Sequence, residues 1–141
     1  MSNKFLILWP VLIQVAVPLV VLLLNASRKA ADRKAGLHDP ERSALNNTAW
    51  SDPVVMTSNN LANQSQLPVL FYVVCIIFAI TDTVSGLVLA LAWLFVASRI
   101  LHAYAHVMGN NVPVRFRAFL VGAIVLIVLY ILCLISLVGV S

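Results

Sequence analysis

The sequence predicts an all-α integral membrane protein, a bundle of four transmembrane helices, on three observations. Hydrophobic residues make up 62% of its 141 residues and charged residues only 10%, whereas a soluble domain carries about 25% charged residues. A soluble domain of this length cannot bury that much apolar surface. The apolar residues also gather in four runs that approach, alone or with their polar extensions, the about 20 residues a helix needs to cross a bilayer.

The first and fourth helices are the simplest to place. The first apolar run, residues 5–24, exceeds the roughly 7–15 residues of a signal-peptide core, and basic residues follow it at once. Its prolines, Pro10 and Pro18, are tolerated in membrane helices. We therefore predict a retained first helix over 5–24 and a fourth over 119–140, which is apolar on nearly every face.

The second and third helices are each apolar at one end and polar at the other. The apolar run 67–80 is too short to span, so the second helix is predicted over 57–80 with a polar beginning. The third is predicted over 84–107 and becomes polar from Ser98 onward. Because the turn around residues 81–83 is short, the two helices pair antiparallel and their polar ends meet on one side of the membrane.

The basic residues predict which side that is. The loop between the first two helices, residues 25–53, and the region before the fourth helix share one face, and the opposite face has only Lys4. The basic residues on the shared face are Arg28, Lys29, Arg33, Lys34, Arg42, Arg115 and Arg117. By the positive-inside rule, the polar ends face the cytoplasm and both termini lie on the other side. The net charge of +4 thus reflects membrane orientation, and no nucleic-acid partner is expected.

Two sets of polar residues recur at helical spacing near the polar ends of the second and third helices. They are Asn59, Asn63 and Gln66 on one helix, and Arg99, His102 and His106 on the other. Each set forms a stripe on one helix face. Polar groups at membrane depth are costly unless they have partners or water, so we expect the stripes to face each other, or a neighbouring subunit, around a wet pocket.

Structural explanations for the same residues stay open. Asn and Gln side chains can simply bond helices together in a bundle, and the Arg99 side chain can extend to the membrane interface. A histidine pair four residues apart can bind zinc, but no third ligand accompanies His102 and His106, so no metal site is predicted. The cysteines, Cys75 and Cys133, lie in apolar runs and are expected to be small buried residues.

Three segments resemble motifs of the MAPEG family, the membrane-associated proteins in eicosanoid and glutathione metabolism. Residues 63–68, Asn-Gln-Ser-Gln-Leu-Pro, look like the family's Asn-x-x-Glu shortly before a proline. Arg99-x-x-His102-x-x-x-His106 is similar to the family's Arg-x-x-Tyr-x-x-x-Tyr. Residues 115–117, Arg-Phe-Arg, precede the fourth helix, where the family often places a functional arginine. Residues 99–119 look like a bacterial subgroup, which implies a bacterial inner membrane.

The resemblance implies a homotrimer with a glutathione site between neighbouring subunits and a lipophilic co-substrate that enters from the bilayer. A nearby arginine favours the thiolate form of glutathione. On this basis Arg115 is expected to stabilise the anion, and His102 or His106 to act as acid or base. The residues expected to bind the cofactor are Asn59, Asn63, Gln66, Arg99, Tyr104 and Arg117.

A non-catalytic function is the alternative. Asn59 and Gln66 stand where the family has an arginine and a glutamate, and losing a buried charged partner costs roughly 2–5 kcal/mol of binding. The chain would then bind lipid or serve as an accessory subunit of a larger membrane complex. A channel or transporter is less favoured, because no segment resembles a selectivity filter and Asp82 lies in a turn.

Overall fold

The computed structural model describes the backbone of residues 3–140 and the side chains of residues 5–139. That part of the chain is helical throughout, apart from its turns and one ordered loop. Four helical spans are long and apolar enough to cross a membrane, which confirms the predicted fold class. The helices are α1 (Asn3–Leu6), α2 (Leu8–Ala35), α3 (Asp52–Gln64), α4 (Leu67–Ile80), α5 (Gly86–Val107) and α6 (Val112–Val140).

Two helices continue well beyond their apolar runs. The first was predicted to end at residue 24, but α2 continues to Ala35, which reduces the predicted loop 25–53 to residues 36–51. Its extension is rich in alanine, lysine and arginine, which favour helix without being apolar. The helix ends where Gly36 adopts a left-handed conformation (φ 66°) and the Leu37 N–H donates to the Asp32 carbonyl at 2.9 Å.

The fourth helix likewise begins earlier than the predicted residue 119. The first turn of α6 starts at Val112, where the Asn111 side chain accepts a hydrogen bond from the Val114 N–H at 3.2 Å. Pro113 suits this first turn because its missing N–H needs no partner there. In both helices the apolar run gives the part that crosses the membrane, and the helix itself is longer than that run.

The predicted second helix, 57–80, is instead two helices, α3 and α4, and begins at Asp52. The break lies at Ser65–Gln66, where Gln66 has non-helical angles (φ −102°, ψ −100°). Pro68 contributes to the break because it lacks the N–H that would bond to the carbonyl four residues earlier. The break separates the polar half of this span from its apolar half.

The apolar core lies between α4, α5 and α6. Phe71 and Phe95 stack at its centre with ring centroids 4.3 Å apart, and Phe78 and Leu129 are fully buried beside them. Cys75 and Cys133 are free and buried, as expected. Outside this core the helices expose many large apolar side chains, including Leu23 and Ile80, to the space that lipid occupies.

The loop 36–51 packs against the extension of α2 and against α3. The start of α3, the end of α5 and the start of α6 form one end of the bundle, hereafter the polar end. Asp32, buried on the extension of α2, accepts hydrogen bonds from the N–H and the hydroxyl of Ser51, both at 2.9 Å. Trp50 is buried and stacks on His38 with centroids 5.0 Å apart. These contacts give the loop a fixed position against α2.

Candidate functional site

Arg99 is fully buried in the polar half of α5, next to the break in the second span. Its Nη2 donates to the Asn63 carbonyl at 3.3 Å. The last carbonyls of a helix lack intrahelical partners and carry partial negative charge, so a cation is stabilised at the end of α3. The guanidinium also lies 5.9 Å from the Phe119 ring centroid. Its Nε and Nη1 have no hydrogen-bond partner among the described residues.

His102 lies one turn further along α5 and fixes the backbone of α6. Its Nδ1 lies 3.0 Å from the Arg115 carbonyl oxygen. Because a carbonyl oxygen only accepts hydrogen bonds, this contact requires the proton on Nδ1. Nε2 of His102 is buried without a partner in the described part of the chain. The ring meets that of His106 edge to face, with centroids 5.9 Å apart.

Arg115 is half-buried at the polar end and is held at two points. Its backbone carbonyl receives the hydrogen bond from His102, and its Nη1 donates to Asn110 Oδ1 at 2.6 Å. Asn110 adopts a left-handed conformation (φ 48°), which asparagine tolerates better than most residues. No ion pair joins Arg115 to a carboxylate within the described residues. Its guanidinium therefore keeps free donors for an anion.

A chain of four hydrogen-bonded polar side chains, one of them His106, crosses the bundle next to His102. Asn60 Nδ2 lies 3.4 Å from His106 Nδ1, Gln64 Nε2 donates to Asn60 Oδ1 at 3.3 Å, and Gln14 Nε2 donates to Gln64 Oε1 at 3.3 Å. All four side chains are buried. They link α2, α3 and α5, which is the helix-bonding function that polar groups commonly serve in membranes.

The residues of α3 that join His106 in this chain are therefore Asn60, directly, and Gln64, through Asn60, and not the predicted stripe. Asn59 is exposed and accepts a hydrogen bond from Asn47 Nδ2 at 3.1 Å, and Gln66 is exposed at the helix break. Asn63 is half-buried and contacts Arg99 only through its carbonyl. Within one chain the two predicted stripes thus meet at a single backbone contact.

Tyr104 and Arg117 lie outside the buried cluster. Tyr104 is 65% exposed on the outer face of α5, and Arg117 is exposed on the outer face of α6. Sequence reasoning also missed Gln14, the only polar residue within the first apolar run, which is fully buried. A lone glutamine in such a run signals a polar partner on a neighbouring helix.

Two larger grooves on the outside of the bundle are almost entirely apolar. One, of about 450 Å³, lies between α4 and α6, and the other, of about 370 Å³, lies between α2 and α5. Tyr104 borders the second groove, while Arg99, His102 and His106 line neither. The polar cluster and the apolar grooves are therefore separate features of the single chain.

Four apolar spans with a buried polar cluster at one end define an integral membrane protein of the four-helix type. A model of the MAPEG family matches residues 6–135, nearly the whole chain, so the protein belongs to the MAPEG family. No curated protein and no solved structure matches it.

Proposed function

We propose that this MAPEG protein binds glutathione at the polar end of the bundle and joins it, through its sulfur, to a lipophilic electrophile. The observation that carries the proposal is Arg115, whose backbone is held by His102 and whose guanidinium is held by Asn110, with no carboxylate partner among the described residues. A positioned cation with free donors stabilises a thiolate or a carboxylate, and glutathione carries both groups. A membrane protein also meets its electrophile directly in the bilayer.

The reaction balances without a further reactant. The glutathione thiol loses its proton to water, and the thiolate is held by Arg115; for His106 to act as the base, its Nδ1 would first have to release the hydrogen bond from Asn60. Its sulfur attacks an electrophilic carbon of the substrate, a carbon–sulfur bond forms, and the leaving group departs with its electron pair. His102 serves here as a positioning residue, because its Nδ1–H is committed to the Arg115 carbonyl.

A homotrimer would complete the site. Asn59 and Gln66 are polar and exposed on a spanning segment, and exposure of such side chains to lipid is costly. A neighbouring copy that covers them would remove that cost and bring them toward an Arg115 that is not their own. In the orientation we propose, the polar end faces the cytoplasm of a bacterial inner membrane, where soluble glutathione can reach it, and both termini lie on the other side.

A second candidate is a non-catalytic protein that binds lipid or serves as an accessory subunit. The connected chain of Gln14, Gln64, Asn60 and His106 favours it, because these side chains bond to one another without any ligand. In that case the polar cluster would hold the helices together, and Arg115 would only interact with lipid phosphates or solvent.

The test is calorimetric titration of glutathione into the purified protein in detergent, with turnover of chlorodinitrobenzene measured in parallel. Arg115→Ala should weaken binding about tenfold to a hundredfold, the usual range for a lost hydrogen bond to a charged group, and Arg115→Lys should weaken it less. Arg42→Ala, an equal change of charge on the exposed loop, is the control and should bind like the parent. Absence of binding up to about ten millimolar, a free energy near −3 kcal/mol, would favour the second candidate.

A further inference from the structure

Two adjoining grooves run along the outside of the α5–α6 pair, distinct from the buried cluster. The first, of about 350 Å³, has apolar walls that include Leu94 and Leu101. The second, of about 270 Å³, lies toward the polar end and includes the polar side chains of Tyr104 and Asn111. Both grooves are lined by Leu101 and Val114, so they form one trough, hereafter the α5–α6 trough.

One side chain on the wall of this trough carries a charge. Arg117 lines the first groove and lies one turn along α6 from Val114. Its side chain is exposed and makes no hydrogen bond or ion pair with any other residue that the structure describes. A guanidinium with five free donors beside an apolar groove needs an anion or water.

The length of α6 indicates the depth at which Arg117 lies. Its 29 residues extend about 43 Å, whereas the hydrocarbon core of a bilayer is about 30 Å thick and the head groups bring the total to about 40–45 Å. The first turns of α6 therefore lie among the head groups, at the level of the lipid phosphates. From there the trough continues past Leu94 and Val121 into the hydrocarbon region.

We propose that the α5–α6 trough binds one phospholipid whose head group has a net negative charge. The phosphate pairs with Arg117, an acyl chain occupies the apolar groove past Leu94, and the rest of the head group lies beside Tyr104 and Asn111. Arginine suits a phosphate because its planar fork donates two parallel hydrogen bonds. The lipid contacts do not involve Arg115, the residue on which the glutathione proposal rests, and they assign Tyr104 and Arg117 to the lipid instead of to glutathione.

Charge complementarity favours lipid over a second copy packed through this same face, as in a twofold contact. The sequence has five acidic residues, and none of them lies on α5 or α6. A second copy packed through the same face would bring another Arg117 and no carboxylate, so the two cations would repel. An anionic phospholipid provides the missing charge and the apolar tail together.

The experiment is native mass spectrometry of the full-length protein from mixed micelles, titrated with phosphatidylglycerol or with phosphatidylcholine of the same acyl chains. We expect one phosphatidylglycerol bound per chain, with at least about tenfold preference over phosphatidylcholine. Arg117→Gln should reduce phosphatidylglycerol binding about fivefold, the effect of one cation near an anionic surface. It should reduce phosphatidylcholine binding less, because the choline cation already neutralises that phosphate. Arg42→Gln is the control with equal charge and should have no effect.

A second variant pair tests the groove apart from the charge. Ala97→Phe places a large side chain in the apolar groove and should reduce binding of both lipids, whereas Ala90→Phe, exposed on the same helix outside the trough, should not. Equal affinity for the two lipids, or equal loss in Arg117→Gln and Arg42→Gln, would overturn the proposal. So would a change of oligomer mass in Ala97→Phe with lipid binding intact, because a second copy would then fill the trough.

Discussion

A close contact between α5 and α6 depends on Gly122, and adding a single methyl group there should be costly. A Cβ built on Gly122 would lie 2.8 Å from the Ser98 hydroxyl oxygen and 3.5 Å from Cδ of Arg99. The first distance is shorter than van der Waals contact allows. The hydroxyl cannot simply turn away, because it donates to the Phe95 carbonyl at 2.6 Å and is buried.

The expected change in the free energy of unfolding for Gly122→Ala follows from two opposing effects. Overpacking a well-packed interior costs about 1–3 kcal/mol, while replacing glycine by alanine inside a helix gains about 1 kcal/mol of helix propensity. Gly139→Ala, in the last turn of the same helix with no atom within 4 Å of its new Cβ, has no steric cost and gains at most that propensity. Gly122→Ala should therefore be less stable than Gly139→Ala by about 1–3 kcal/mol.

The assay is unfolding in mixed detergent and sodium dodecyl sulfate micelles, followed by far-ultraviolet circular dichroism. Ser98→Ala removes the oxygen that a Cβ at Gly122 would meet, so in that background the two alanine variants should differ little. A double-mutant cycle then gives the energy of the steric contact directly. If Gly122→Ala equals Gly139→Ala in the parent background, α5 and α6 are not packed as closely as described.

Two further changes address the loop and the polar cluster. Asp32→Ala removes the acceptor of both hydrogen bonds from Ser51. Since such bonds contribute about 1.5–3 kcal/mol, trypsin should cleave after Arg42 about tenfold faster or more, and Asp32→Asn should be cleaved at an intermediate rate. Unchanged cleavage would mean that other contacts hold the loop. Asn60→Leu leaves His106 Nδ1 without its partner and should lower the free energy of unfolding by about 1 kcal/mol in the same micelle assay. A higher free energy of unfolding would show that the polar chain does not stabilise the bundle.

The four membrane spans could be predicted because lipid sets the same requirement, an apolar helix, wherever the chain crosses the bilayer. Twenty apolar residues in a helix satisfy that requirement, so the composition and the four runs lead directly to four spans. The ends of α2 and α6 were not predictable in the same way. Beyond the bilayer, a helix continues or ends according to propensity and capping, and Gly36 and Asn111 mark those ends only weakly in the sequence.

The sequence also could not predict which face of α3 turns toward the other helices. Asn59 and Asn63 have the same spacing as Asn60 and Gln64, so periodicity alone cannot choose between the two faces. The choice depends on what the other helices present, and the buried Gln14 of α2 bonds to Gln64. Tertiary contacts decide the phase wherever a helix is polar on more than one face.

The helix break and the burial of Arg99 explain each other. In an unbroken helix the Asn63 carbonyl would accept the N–H of Leu67, and Arg99 would have no acceptor at that point. Because the second span breaks before Pro68, the Asn63 carbonyl instead accepts a 3.4 Å bond from the Gln66 N–H and has room for the second bond, from the Arg99 guanidinium. At least one nitrogen of Arg99 thus bonds α5 to the end of α3, so substitution of Arg99 would disturb both helices. Loss of glutathione binding in an Arg99 variant would therefore not identify a ligand contact. The same loss in an Arg115 variant would, because among the described residues its side chain hydrogen-bonds to Asn110 alone, at the surface.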